Sequence, residues 1–170
     1  MSIPQKDVDA FSAAVSKYFS FLEDDFQLQP RGVVTVDDDP RDSYVVSKFR
    51  QDEFRIDVAW NPFALSLSVL IRIENEKLGR RDRYVYLEPF IEFVSQGATA
   101  PLVPQIYPGM TVGNIEKAMQ RRKELFAGGV EAPLHELASR LELHISNIRS
   151  CAANTIRDYQ VWYQSRGKAA

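Results

Sequence analysis

The chain has 170 residues, of which 45% are hydrophobic, 26% charged and 11% aromatic. This length predicts a single domain, residues 1–170, that buries about 70% of the surface its unfolded chain exposes. A net charge of −2 and an ordinary apolar fraction argue against disorder. With Cys151 as the sole cysteine, two histidines and eight glycines, the chain has few residues from which to build an active site.

The N-terminus lacks the basic stretch and apolar run of a signal peptide, and the sequence contains no run of 18 apolar residues. A lone cysteine cannot form an internal disulfide, which suits a reducing compartment. These features predict a soluble cytoplasmic protein with no membrane partner.

Charge is distributed unevenly along the chain. Residues 1–60 carry 7 Lys and Arg against 12 Asp and Glu, a net of −5, whereas residues 61–170 carry 14 against 11, a net of +3. The basic clusters are short, and Arg121-Arg122-Lys123 is predicted to lie on the outer face of a helix. This balance argues against nucleic-acid binding, which usually needs a basic surface that neutralises several phosphates.

The first predicted element is an amphipathic helix over residues 4–26, ended by Gln29-Pro30-Arg31-Gly32. Ser2 and Gln5 have the spacing of a capping box, and Pro4 suits a first helical turn. The apolar residues of the stripe recur at intervals of three and four: Val8, Phe11, Val15, Phe19, Leu22 and Phe26.

From Gly32 to Leu87 the apolar period changes to two, which predicts strands. The first begins near Val34, and others cover residues 44–50, 53–60, 65–73 and 83–87. The run at 53–60 shows the alternation best: Phe54, Ile56, Val58 and Trp60 share one face, and Glu53, Arg55, Asp57 and Ala59 share the other. The pattern predicts an antiparallel meander of about five strands with one core face and one wet face.

The remainder, residues 89–170, is predicted to be mainly helical. Residues 88–95 indicate a short helix or an extension of the last strand, and three prolines make 98–109 irregular. Thr111 is the expected N-cap of a helix to Phe126 with Val112, Ile115 and Met119 inward. Residues 134–162 form one long helix or two broken near Asn147 or Asn154. The predicted class is α+β, with a helix and sheet over 1–88 and C-terminal helices packed on one face of the sheet.

No arrangement of residues in the sequence predicts catalysis. His144 and Cys151 lie seven residues apart on the last predicted helix, about 10 Å along its axis, which is too far for proton transfer. His135 and His144 point in different directions around that helix and cannot share a metal. Neither a phosphate-binding glycine loop nor a nucleophile motif is present. The sequence therefore predicts a protein that is not an enzyme and uses no cofactor or metal.

The candidate partner-binding residues are acidic. Asp37, Asp38, Asp39 and Asp42 lie in one predicted turn that lacks the ligand spacing of a calcium loop. Either the turn is simply solvated, or it is a partner-facing patch that Asp52 and Glu53 extend at the next hairpin. Together with Glu53 and Asp57 on the wet face, such a patch would be electronegative and would steer a basic protein partner to it.

Three segments resemble a broad group of small bacterial proteins that includes immunity proteins encoded beside polymorphic or contact-dependent toxins. The segments are Tyr18–Phe26, Phe54–Pro62 and Leu65–Ile73, within a similarity that spans about residues 8–88. This resemblance implies a stoichiometric protein that binds a cognate toxin or effector and blocks it, and it carries over no catalytic residue.

A second resemblance is to type III secretion chaperones, which are small, acidic α+β proteins that open with a helix and a strand meander. It implies a homodimer that wraps an effector segment, whereas the immunity interpretation is compatible with a monomer or a homodimer. A small enzyme is the third alternative. It would need a deep cleft that combines His135 or His144 with carboxylates from the strands.

Overall fold

The computed structural model describes residues 2–36, 43–52, 54–80 and 82–166. Within these residues there are two helices, then five strands, then four helices. In order they are α1 (Gln5–Tyr18), α2 (Phe21–Asp24), β1 (Gln29–Val36), β2 (Tyr44–Gln51), β3 (Phe54–Asn61), β4 (Ser66–Arg72), β5 (Tyr84–Tyr86), α3 (Leu87–Val94), α4 (Val112–Leu125), α5 (Glu131–Arg149) and α6 (Ala153–Arg166).

The five strands form one antiparallel sheet in the order β1-β2-β3-β4-β5, so each strand pairs with its neighbours in sequence. Helix α1 packs against α5 and β2, and α3 packs against α6, β4 and β5. This arrangement confirms the predicted α+β class and the five-stranded meander.

The alternation in sequence sets the two faces of the sheet. Along β3, Phe54, Ile56, Val58 and Trp60 are all buried, and the residues between them keep exposed surface. We call the helix-covered side the core face. Strand β4 follows the same rule but begins one residue later than predicted, because Leu65 adopts a positive φ of 47° in the turn before it.

The predicted N-terminal helix is broken into two. Phe19 and Phe21, two residues apart, would lie on different sides of a continuous helix, yet both are buried with ring centroids 6.2 Å apart. The break at Ser20 brings both rings into the core. The capping-box prediction was wrong: Pro4 is the N-cap, no side chain caps the helix, and Gln5 donates instead to Asp9.

Residues 29–32, predicted to end the helix, form the first half of β1. The β1–β2 register shifts between Pro30 and Val33, and Gly32 there has a φ of 83°. Proline and a left-handed glycine are tolerated because β1 is an edge strand with a bulge.

In the C-terminal half, the Thr111 hydroxyl caps α4 as predicted by accepting a hydrogen bond from the Asn114 N–H at 3.3 Å. The prediction that Val112 points inward was wrong, because Val112 is 73% exposed. Residues 134–162 form two helices, α5 and α6, that meet at residues 150–152, between the two predicted break points. A single hydrophobic core extends from Ile3 to Tyr159.

Candidate functional site

The side of the sheet opposite the core face is the open face. Strand register brings its residues into cross-strand rows, because every second residue of each strand points to this side. The open face consists of Val34, Val36, Tyr44, Val46, Lys48, Arg50, Arg55, Asp57, Ala59, Asn61, Ser66, Ser68, Leu70, Arg72, Tyr84 and Tyr86.

A hollow of about 520 Å³ lies on the open face, and residues of all five strands line it. Its floor is apolar in the middle, where Val46 and Ala59 are cross-strand partners, and Tyr44 and Tyr86 line it from β2 and β5. The strand twist of an antiparallel sheet produces such a shallow concavity. The open face is therefore concave where all five strands meet.

Three arginines form one row across the open face. Arg50 of β2 pairs directly with Arg55 of β3, and Arg55 pairs with Arg72 of β4. Like charges that face each other across strands are destabilising, so this row costs stability. Asp57 offsets part of that cost, because its carboxylate accepts a bond from Arg50 Nη1 at 2.6 Å.

Arg55, in the middle of this row, is exposed, and its guanidinium bonds to none of the described residues. The described residues of the open face carry four cations, Lys48 among them, against the single carboxylate of Asp57. The predicted electronegative surface stays a prediction, because Glu53 and residues 37–42, which supply most of its charge, lie outside the described residues.

Exposed tyrosines lie on the open face, and Tyr44 and Tyr86 line the hollow. Tyr44, Tyr84 and Tyr86 are 36–40% exposed. Helix α6 holds Tyr86 in place. The backbone N–H of Tyr86 donates to the Tyr159 hydroxyl at 3.2 Å, and its ring lies 5.6 Å from that of Tyr163. Exposed, positioned tyrosines are enriched in protein interfaces, where they provide contact area at a low entropic cost.

Of the six predicted partner-binding residues, Asp37, Asp38, Asp39, Asp42 and Glu53 lie outside the described residues. Asp52 is exposed in the β2–β3 turn, with a positive φ of 51°. It follows one end of β2, whereas Val36 and Tyr44, which flank segment 37–42, pair at the other end. Eight residues of strand separate these ends by about 24 Å. The role of the acidic residues stays a prediction.

The titratable groups considered for catalysis sit in separate places. His135 packs its ring 4.6 Å from that of Tyr18. Burial, followed by the charge of Arg140, lowers the pKa of His144. Burial raises the pKa of Cys151, at the junction of α5 and α6, which disfavours a reactive thiolate. Among the described residues no group of three His, Cys, Asp or Glu could hold a metal, and no helix is long and apolar enough to span a membrane.

Two buried charged side chains, one in α3 and one in α4, were not predicted from the sequence. Glu88, 4% exposed, accepts bonds from the Leu102 backbone N–H and from Arg140, and thereby fixes the proline-rich segment to α5. Arg122, 8% exposed, was predicted to lie on the outer face of α4, and this was wrong. Its Nε donates to the Pro104 carbonyl at 2.9 Å and its Nη1 to the Ala64 carbonyl at 3.0 Å. A buried arginine inside a basic triplet has no local sequence signature.

Comparison with protein-family models, with curated proteins and with solved structures found no match to this chain.

Proposed function

We propose that this protein is a non-enzymatic immunity protein that binds a cognate toxin or effector domain and blocks it. The observation that carries the proposal is the open face, a sheet surface opposite the helices that combines a hollow, three exposed tyrosines and an arginine row. The resemblance of residues 8–88 to immunity proteins supports the same class of partner.

The arginine row supports a binding role because it works against stability. Natural sheets usually place opposite charges or apolar pairs across strands, since facing cations repel. An anionic or polar surface of a partner would offset the repulsion between Arg50 and Arg55. Arg55 is already exposed for such a contact.

Size argues that the strands alone are not the whole interface. The strands have 8, 8, 8, 7 and 3 residues, and at about 3.3 Å per residue and about 4.8 Å between strands they present roughly 540 Å² in projection. A stable interface buries about 800 Å² on each partner. The connections at the strand ends must then contribute. The predicted acidic residues belong to those connections. The surface of this protein that we propose for partner binding therefore has a cationic centre and acidic flanks.

The test uses the domain encoded by the gene beside this one, which the immunity function predicts to be a toxin. Co-expression should restore growth to cells that produce the toxin, and the two purified proteins should elute as one complex with the summed mass by light scattering. Failure to rescue growth, together with separate elution, would refute the proposal.

Two variants then locate the surface within this complex. Arg55→Glu should weaken rescue if the open face binds. The triple variant Asp37→Asn, Asp38→Asn and Asp39→Asn should weaken it if the acidic segment contributes. Rescue by Arg55→Glu at the wild-type level would exclude the open face.

A second candidate function is that of a secretion chaperone for an extended effector segment. The outer edge of β1 favours it, because no described strand pairs there over the eight residues Gln29–Val36. Such an edge can accept an added strand. This function predicts a homodimer without the toxin and binding to an unfolded effector segment, whereas the immunity function predicts binding to a folded toxin domain.

A further inference from the structure

The two edges of the sheet differ in what covers them. At the β5 edge, the Tyr86 backbone N–H donates to the Tyr159 hydroxyl at 3.2 Å. The Tyr84 carbonyl accepts a bond from the Gln160 side chain, so α6 occupies this edge. At the other edge, β1 pairs only with β2, and no described strand or helix bonds to its outer side. An unpaired strand edge is a template for another strand, and here only β1 offers one.

The register of the sheet determines which backbone groups point outward from β1. Gln51 and Phe54 pair across the β2–β3 turn, so they exchange hydrogen bonds with each other. Bonded and non-bonded pairs alternate along antiparallel strands, and counting along β2 shows that Val34 exchanges hydrogen bonds with its β2 partner. The N–H and C=O groups of Val33 and Thr35 therefore point away from the sheet. None of these four groups bonds to a described residue.

Strand β1 has two halves that differ in how readily they can accept another strand. The first half carries features that natural edge strands use against pairing: Pro30 lacks an N–H, Arg31 is charged, and Gly32 lies at the bulge. The second half, Val33–Val36, which we call the edge segment, carries none of them. Its three valines and one threonine are residue types that favour strands. We therefore expect a further strand to pair at the edge segment.

The edge segment is accessible from both sides of the sheet. Val34 points to the open face and is 41% exposed. Thr35 points to the helix side and is exposed as well, and Val33 on that side is only half-buried. The helices therefore do not cover this edge, which leaves room for a strand at the usual spacing of about 4.8 Å.

We propose that two copies of this chain pair antiparallel through their edge segments, about a two-fold axis that passes between the two Val34 residues. In this register Val33 of one copy lies opposite Thr35 of the other, and each such pair exchanges two backbone hydrogen bonds. All four outward groups of each copy are then satisfied, so the segment is complementary to itself. Val34 meets the same valine of the second copy, which removes its exposed apolar surface from water.

A second copy fits this edge better than an extended peptide does. It presents the edge segment already ordered as a strand, whereas a peptide must first lose its conformational freedom. The pairing also joins the two open faces on the same side of one ten-stranded sheet. One open face presents roughly 540 Å² in projection and the joined faces roughly 1,080 Å², against the about 800 Å² that a stable interface buries on each partner.

This dimer is a property of the chain alone, so it does not depend on the immunity function. It fills the edge at which the chaperone function would bind an effector segment, and the two therefore exclude each other. A dimer in a protein that binds no toxin would refute the immunity function alone. A protein that neutralises the toxin and stays monomeric would refute the dimer alone.

Sedimentation equilibrium of the full chain, up to about 1 mM, measures the dimer. The contact is much smaller than an obligate interface, so the mean mass should rise reversibly with concentration from 19.4 kDa towards twice that value. Val34→Lys should dimerise at least tenfold more weakly, because two cations then face each other across the axis. Val112→Lys, the same change at a 73% exposed valine on α4, should dimerise like wild type. A monomeric wild type, or equal dimerisation of Val34→Lys, would overturn the proposal.

A charge swap tests whether Val34 meets itself. Val34→Lys and Val34→Glu should each stay monomeric at concentrations where wild type dimerises, with urea unfolding midpoints close to that of wild type. Their equimolar mixture should dimerise, because opposite charges then meet at the axis. A mixture that is no more dimeric than its components would overturn the contact between the two Val34 residues.

Cysteine substitution in a Cys151→Ser background tests the register. Val34→Cys should form a disulfide-linked dimer on mild oxidation, because facing non-bonded residues have Cα atoms about 4.5 Å apart, within reach of a disulfide. Val36→Cys, on the same strand and face, is the matched control. The two Val36 residues lie four positions apart along the paired strands, roughly 14 Å, and should not cross-link. Cross-linking of Val36→Cys as fast as Val34→Cys would overturn the proposal.

Discussion

Strand β4 contributes alternate residues to two surfaces with different properties. On the core face, Leu67, Val69 and Ile71 are at most 2% exposed, whereas Ser66, Ser68 and Leu70 on the open face keep part of their surface. The core face is uniformly apolar along β3 and β4. The open face mixes tyrosines, serines and a row of like charges that does not stabilise the sheet. The contrast indicates that one face of this sheet holds the fold together and the other is available for contact.

The largest expected difference between the faces comes from neighbouring residues of β4. Ile71→Ala should lower the free energy of unfolding by about 2–5 kcal/mol, because it removes a fully buried side chain and leaves a cavity. Leu70→Ala on the open face should cost less than about 1 kcal/mol. Urea denaturation measures both, and equal losses would show that the open face is also packed.

The next effect concerns Arg122, which is buried and donates to two backbone carbonyls. Arg122→Gln should lower the free energy of unfolding by about 1–3 kcal/mol, because the carbonyls of Ala64 and Pro104 lose a charged donor. Arg121→Gln is the matched control, and as an exposed surface change it should stay within about 0.5 kcal/mol of wild type. Equal stability of the two variants would contradict a structural role for Arg122.

The buried carboxyl of Glu88 should make the free energy of unfolding depend on pH. Burial raises its pKa above the ordinary 4.5, although Leu102 and Arg140 act in the opposite direction. The folded protein then holds a proton that the unfolded chain has released, so stability falls as the pH rises from about 4.5 to the raised pKa. Glu88→Gln cannot titrate, so the stability of wild type relative to this variant should fall across that window. If the difference in stability between wild type and Glu88→Gln stayed constant from pH 4 to pH 7, the raised pKa of Glu88 would be contradicted.

The smallest effect is expected on the open face, at the Arg50–Asp57 pair. Asp57→Asn should cost no more than about 1 kcal/mol, because the pair is partly exposed and solvent screens it. The loss should shrink in high salt, where repulsion between Arg50 and Arg55 is also screened. A large, salt-independent loss would place this pair among the core interactions.

The fold was largely predictable because strand alternation and helical periodicity are local signals. The break at residues 150–152 lies between the two break points that the sequence offered, whereas the break at Ser20 was missed because both Phe19 and Phe21 must enter the core, which periodicity does not report. The position of Arg122 depends on two carbonyls contributed by distant turns, so its sequence neighbours could not reveal it. The arginine row could be predicted in part, because a hairpin that pairs Gln51 with Phe54 also sets Arg50 opposite Arg55. The place of Arg72 in this row depends on the register between β3 and β4, which sets Arg72 opposite Arg55.

The most direct test of the contrast between the faces is calorimetry of the toxin domain that we propose the neighbouring gene encodes, with wild type, Arg55→Glu and Arg121→Glu. The two variants make the same charge change at exposed arginines, one on the open face and one on α4. Arg55→Glu should weaken binding at least tenfold, about 1.4 kcal/mol, with the urea unfolding midpoint close to that of wild type. Arg121→Glu should bind as wild type does. Equal affinities for all three proteins, or a loss specific to Arg121→Glu, would contradict the assignment of the open face as the partner surface.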